Sequence, residues 1–235
     1  MTLSGNSRIA VIVGTRPEIV KLAPVIRLLG DDVDLIHTGQ HEDEELSGAF
    51  LTPQGLISTR RLAGICGQPR HVQVGRIIEQ LGGMLSQAQP AAVMVQGDTN
   101  TVSAAAQAAN YAGVPVIHVE AGLRSRDRAM PEEINRCVAG VLADLHCAPT
   151  AQAAANLRAE GAPEERIALT ANTIVEATQV PTASTSSAGR KSRPPWVAWP
   201  AVPAIRTARP ATAASLAARA GAKAAATEQC LRARK

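Results

Sequence analysis

The sequence predicts a doubly wound parallel α/β domain followed by a disordered tail. Short apolar runs alternate with helical runs from residue 8 to residue 169, the βα order that builds a parallel sheet. The apolar runs are continuous rather than alternating, as strands covered on both faces require. A composition break near Gln179 divides the chain into a domain at 1–178 and a tail at 179–235.

The elements follow in order. Residues 8–13 read as a buried strand, then a turn and a helix at 17–29. Residues 32–38 read as a second strand. A helix at 72–88 leads into a strand at 91–96, and a helix at 99–112 leads into one at 114–119. Helices at 131–142 and 150–160 flank a strand at 144–148, and residues 166–169 form the last strand. One helix joins the strands at 91–96 and 114–119, so the two are expected to be parallel, with their carboxyl ends on the same edge of the sheet.

Charge is divided in the same way as composition. Residues 1–179 hold 14 basic and 19 acidic side chains, a net of −5, whereas residues 180–235 hold 10 basic and one acidic, a net of +9. The basic balance belongs to the tail, so a general nucleic-acid reading fails. Aromatics are only Phe50, Tyr111, Trp196 and Trp199, too few for a base-stacking platform. The tail carries 17 Ala and six Pro with few large apolar residues, too little buried surface to offset ordering. Cys66, Cys137, Cys147 and Cys230 form no C-x-x-C pair and no metal spacing, and free thiols are expected. The opening residues do not read as a signal peptide, because the apolar run at 9–13 is too short, and the longest uncharged window, 99–119, is too polar to span a bilayer. A cytoplasmic location is expected.

Four groups of residues are candidates for the chemistry. The first strand ends in Gly14-Thr15-Arg16-Pro17-Glu18, at the βα turn where helix N-terminal amides meet anions. It is neither a G-x-G-x-x-G nor a G-x-x-x-x-G-K-[ST] loop, so nicotinamide and nucleoside-triphosphate sites are unsupported. Thr15 and Glu18 have capping-box spacing, which leaves Arg16 and Lys21, the one lysine in 1–179, for an anion or for solvent. Asp98 and Glu120 follow two strands expected to be neighbours, which puts both acids at the ligand-binding edge; Asp98 also suits a helix N-cap. Pro131-Glu132-Glu133 opens a helix, where acids favour the dipole, and Arg136 stands four residues from Glu132. His41 lies in a loop after a strand, Thr38-Gly39-Gln40-His41, which faces either a ligand or the protein.

In order along the chain, Gly14-Thr15-Arg16-Pro17-Glu18 with Lys21 and Pro24, Thr38-Gly39-Gln40-His41, Gln96-Gly97-Asp98-Thr99, His118-Val119-Glu120-Ala121-Gly122-Leu123-Arg124, Pro131-Glu132-Glu133-Ile134-Asn135-Arg136 and Asn172-Thr173 resemble the bacterial non-hydrolysing UDP-N-acetylglucosamine 2-epimerases. The resemblance covers residues 8–178. It implies a Rossmann-like sheet, the N-terminal half of a glycosyltransferase type B fold that binds its substrate between two domains. The implied reaction interconverts UDP-N-acetylglucosamine and UDP-N-acetylmannosamine for surface polysaccharides, without a cofactor and with no metal assigned. The implied catalytic carboxylates are Asp98, Glu120 and Glu132, with Arg16, Lys21, His41 and Arg136 binding a UDP-sugar. A homodimer is the family's implied assembly.

The sequence departs from the family pattern at named places. Residues 124–130 form a loop about two residues shorter than usual, Met130 stands where an aromatic is common, and Ala171 replaces a glycine before Asn172. The second domain's His-Arg-Arg-Glu-Asn, Pro-Val-His-x-Asn-Pro and Asp-Ser-Gly-Gly segments are not found in this sequence. The tail's composition resembles a G+C-rich gene read out of frame. The expectation is therefore an epimerase domain with impaired turnover; the alternative is a non-catalytic sugar-nucleotide binder or a decayed gene product.

Overall fold

The structure, a computed structural model, describes residues 8–41 and 59–175. The domain boundary expected at 178/179 and the tail lie outside the described residues. Chain order is β1 (Ile9–Val13), α1 (Arg16–Leu29), β2 (Val33–His37), β3 (Thr59–Arg61), α2 (Arg70–Ala88), β4 (Ala92–Gln96), α3 (Asn100–Tyr111), β5 (Val116–Val119), α4 (Pro131–Leu142), β6 (Leu145–Ala148), α5 (Ala151–Ala159) and β7 (Ile167–Leu169).

The sheet is parallel throughout, in the order β3-β2-β1-β4-β5-β6-β7. The chain winds outward from β1 to β3, then returns to place β4 on the other side of β1. That reversal is the switch point, where neighbouring connections leave on opposite faces and open a crevice at the strands' carboxyl ends. Gln96 of β4 is in register with Val119 of β5, so the residues that follow each strand leave the sheet side by side.

Side-chain alternation explains the two layers. Ala10 and Ile12 of β1 join Val93, Val95 and Val116 in a core sealed by Ile77, Leu81 and Leu85 of α2 and by the alanines of α3. Val11 and Val13 face the other way, onto Ile19, Leu22 and Ile26 of α1. The small side chains of α3 let it lie buried against the sheet: Ala104, Ala105, Ala106, Ala108 and Ala109 are wholly buried.

Six strands are expected from the sequence and a seventh, β3, is found. Thr59-Arg60-Arg61 has no apolar run; it pairs only with β2, and Arg60 forms an ion pair with Asp34 of that strand. A short, charged strand at a sheet edge lacks the burial signal on which pattern reading depends.

Gly14, between β1 and α1, is fixed by close approach. A Cβ there would stand 2.0 Å from Thr101 Oγ1 and 2.5 Å from Thr38 Oγ1, two hydroxyls already 2.8 Å apart in a buried hydrogen bond. Gly83, on α2, has nothing within 4 Å of the same position. Gly14→Ala is expected to destabilise by about 1–3 kcal/mol through overpacking. Gly83→Ala is expected to stabilise by about 0.5–1 kcal/mol through helix propensity. Urea denaturation of both variants checks the pair; an unchanged midpoint for Gly14→Ala contradicts the packing described.

Candidate active site

The crevice at the switch point is walled by Glu18 and Lys21 of α1, Asp98 and Thr99 of the β4–α3 turn, Glu120 after β5, and Arg136 of α4. Two acid–cation pairs dominate it. Lys21 Nζ donates to Glu120 Oε2 at 2.6 Å, with both side chains mostly buried. Arg136 forms a short ion pair with Asp98.

Glu120 is held from three sides. Gln96 Nε2 donates to the oxygen that also meets Lys21, and Asn172 Nδ2 donates to the other at 3.3 Å. Its backbone lies at φ +65, the left-handed region that costs a non-glycine residue roughly 1 kcal/mol or more. The strand ends there, and the strained residue aims its carboxylate across the crevice. Ala171 has φ +62, which gives a physical reason for the glycine usual at that place in the family that the sequence resembles.

Asp98 is not the cap of α3. Thr99 is, its hydroxyl accepting from Val102 N at 3.4 Å, so the Asp98 carboxylate is available to the crevice. The turn carrying it is fixed twice. Asn135 Nδ2 donates to Asp98 O at 2.9 Å, and His118 Nε2 donates to Gly97 O at 2.8 Å. His118 is wholly buried, and burial leads the causes that press its imidazole down to about 4, so the ring is neutral at ordinary pH.

Arg136 pairs with Glu133, not with Glu132 as the spacing suggested. Glu133 is buried and accepts from Ser125 N at 3.0 Å, Arg126 N at 2.9 Å and Arg136 Nη1 at 3.1 Å. Burial alone would raise this carboxyl; the two amides and the guanidinium outweigh it and hold it down at about 2. Glu133 thus ties the 124–130 loop to the helix and aims Arg136 at Asp98. The i,i+3 spacing of Glu133 and Arg136 was the only sequence signal for this.

The other expected site residues are placed differently. Glu132 is exposed in the first turn of α4 and is not part of the crevice lining. Arg16 is exposed between Thr15 and Pro17, which do line it. His41 is exposed; its backbone N–H donates to Gly14 O at 3.2 Å, and its ring is outside the lining. In the same motif Gln40 is the buried residue, accepting from Thr101 N at 2.9 Å and Thr101 Oγ1 at 2.8 Å, so the motif packs the end of β2 against the start of α3.

A parallel sheet with paired acids and cations at its switch point defines a Rossmann-like domain suited to acid–base chemistry on an anionic ligand. A family model described as UDP-N-acetylglucosamine 2-epimerase matches residues 29–197. The chain is 43% identical over 172 residues to a UDP-N-acetylglucosamine 2-epimerase of Methanococcus maripaludis, covering 73% of this chain and 47% of that protein. The crystal structure of the Methanocaldococcus jannaschii UDP-GlcNAc 2-epimerase, in complex with UDP-GlcNAc and UDP, is similar at a TM-score of 0.69 and 42% identity, over 73% of this chain and 48% of that one. The Neisseria meningitidis UDP-GlcNAc 2-epimerase bound to UDP-GlcNAc gives 0.67 and 33%, over 72% and 48%. The chain belongs to the UDP-N-acetylglucosamine 2-epimerase family, whose members are isomerases. It spans about half the length of the relatives it matches.

Glu133 generates a pH prediction. Its carboxyl is depressed, so its stabilising effect is complete above the unfolded value of 4.5 and declines as pH falls towards 2. Glu133→Gln is expected to cost about 1–3 kcal/mol at pH 7. In urea denaturation the gap between the variant and the parent should narrow at pH 3; an equal gap at both pH values contradicts the assignment.

Proposed function

We propose that this chain carries the acid–base wall of a UDP-N-acetylglucosamine 2-epimerase site. The observation that carries the reading is the convergence of Asp98 and Glu120, each paired with a cation, at one crevice.

The chemistry needs that inventory. The sugar C2 proton is not next to a carbonyl, so direct deprotonation is too difficult. Elimination of UDP across C1–C2 gives a glycal-like intermediate, and UDP returns after C2 is protonated on the other face. Asp98 and Glu120 are the groups proposed to remove and return protons, with Glu132 a third carboxylate by family pattern. Lys21 and Arg136 pair with the two crevice acids. Their charges also suit the diphosphate as it departs, where fixed cations stabilise developing charge. Arg16 and His41 belong to the proposed substrate set through their motifs alone. A homodimer and a cytoplasmic location belong to the same proposal; among the described residues no helix is long and apolar enough to cross a membrane.

The described residues form one wall of the proposed site, and one wall positions a sugar nucleotide poorly. Each 1.4 kcal/mol of lost positioning is about tenfold in rate. With UDP-N-acetylglucosamine in heavy water, the chain is expected to incorporate deuterium at C2 well below about one per second. Asp98→Asn and Glu120→Gln should each lower that slow exchange by about 10²–10⁴-fold. NMR of the sugar ring checks this. Exchange unaffected by both substitutions contradicts the acid–base roles, and exchange at about one per second or faster contradicts the one-walled reading.

A further inference from the structure

We propose that Glu18 is a positioning residue, an internal anion that fills the β1–α1 turn and ties it to the β4–α3 turn, so that phosphates in the crevice meet side-chain cations rather than the α1 backbone. Glu18 is 2% exposed although it stands on the crevice wall. Its Oε2 accepts from Gly14 N at 2.5 Å and Thr15 N at 2.9 Å. Its Oε1 accepts from Thr99 Oγ1 at 2.5 Å. One carboxylate therefore joins two loops that are 81 residues apart in the chain.

The consequence for anions follows from the donors that Glu18 and the capping box already use. A helix N-terminus after a first strand is an anion site because its amides are unpaired. Here Gly14 N and Thr15 N are taken by Glu18, Pro17 has no N–H, and the Glu18 amide belongs to a capping box with Thr15. A phosphate entering the turn would also meet a like charge. The cations within reach of the crevice are instead Lys21, one helical turn beyond Glu18, and Arg136. The clamp holds the start of the helix that bears Lys21 against the turn that bears Asp98, so it fixes the spacing of a cation and an acid across the crevice.

The charged groups around Glu18 are Arg16 and Lys21 on α1, Asp98 on the β4–α3 turn, Arg136 on α4 and Glu120 after β5. Burial, opposed by the hydrogen bonds to Thr99, Gly14 and Thr15, raises the Glu18 carboxyl to about 7. Its proton stabilises the fold fully below the unfolded value of 4.5, and that contribution is lost as pH rises through 7. Keeping the clamp ionised therefore costs stability, as expected of a group retained for a site rather than for the fold. The inference rests on the proposed sugar-nucleotide site for the identity of the anion, not for the clamp.

Amide proton spectra of the 235-residue chain test both halves. Between pH 5 and 9 the Gly14 and Thr15 amide protons are expected to titrate together with a midpoint near 7. Glu18→Gln should abolish that titration. Thr99→Val, which removes one bond to the charged form, should raise the midpoint by about half a unit to one unit. At pH 8, UDP should leave the Gly14 and Thr15 amides in place in the parent and move them in Glu18→Ala. A titration of these amides that is unchanged in Glu18→Gln or Thr99→Val, or parent amides that move with UDP, would overturn the proposal. A chain in which no resonance responds to UDP would refute the sugar-nucleotide reading, while the pH titration still decides the clamp.

Discussion

The ion pair between Lys21 and Glu120 is the contact around which the crevice is arranged. It closes 99 residues of chain, from the second turn of α1 to the end of β5. Both side chains are mostly buried, at 24% and 13% exposure, so much of the mutual attraction is spent on desolvation. Such a pair is a weak device for stability. Its geometry also depends on a left-handed backbone at Glu120 and on donors from Gln96 and Asn172. A fold that needed only a packed sheet would not hold a non-glycine residue there. The arrangement supports the proposed site for a ligand that carries its own charge.

Around that pair, polar groups are placed so that each acid has a different environment. Glu133 sits among two amides and a guanidinium and stays ionised far into acid, whereas Glu18 is buried against donors that do not fully replace water. His118 and His146 lie in register on β5 and β6, both buried with imidazoles pressed toward neutrality, and the Nδ1 of each has no hydrogen-bond partner among the described residues. Neutral rings let the strands pass beside the crevice without adding cations to it. The same elements that build the sheet thus separate the charged pairs of the crevice from the buried imidazoles beside it.

Much of the fold was legible because burial on both faces leaves unbroken apolar runs such as Ile9-Ala10-Val11-Ile12-Val13. The βαβ rule then carried Asp98 and Glu120 to one edge without any contact being known. What could not be read was partnership across the chain. Nothing in the spacing joins Lys21 to Glu120 or Glu18 to Thr99, because those contacts exist only once β1, β4 and β5 are side by side. Adjacent residues of the same type were also indistinguishable: Glu132 and Glu133 differ by about 100° around α4, and only the structure identifies Glu133 as the one that turns inward. Gln40 is buried and His41 exposed, and a loop has no period from which to read which of the two faces inward.

The most direct test of the charged crevice uses the scarcity of lysine. Lys21 shares the chain with only Lys191, Lys223 and Lys235, so nitrogen-15 spectra of the lysine ammonium groups are simple to assign. On addition of UDP, the Lys21 resonance is expected to shift and its hydrogens to exchange more slowly with water, while the other three stay unchanged. A Lys21 resonance that stays fixed at saturating UDP, or four lysines that move alike, would contradict it.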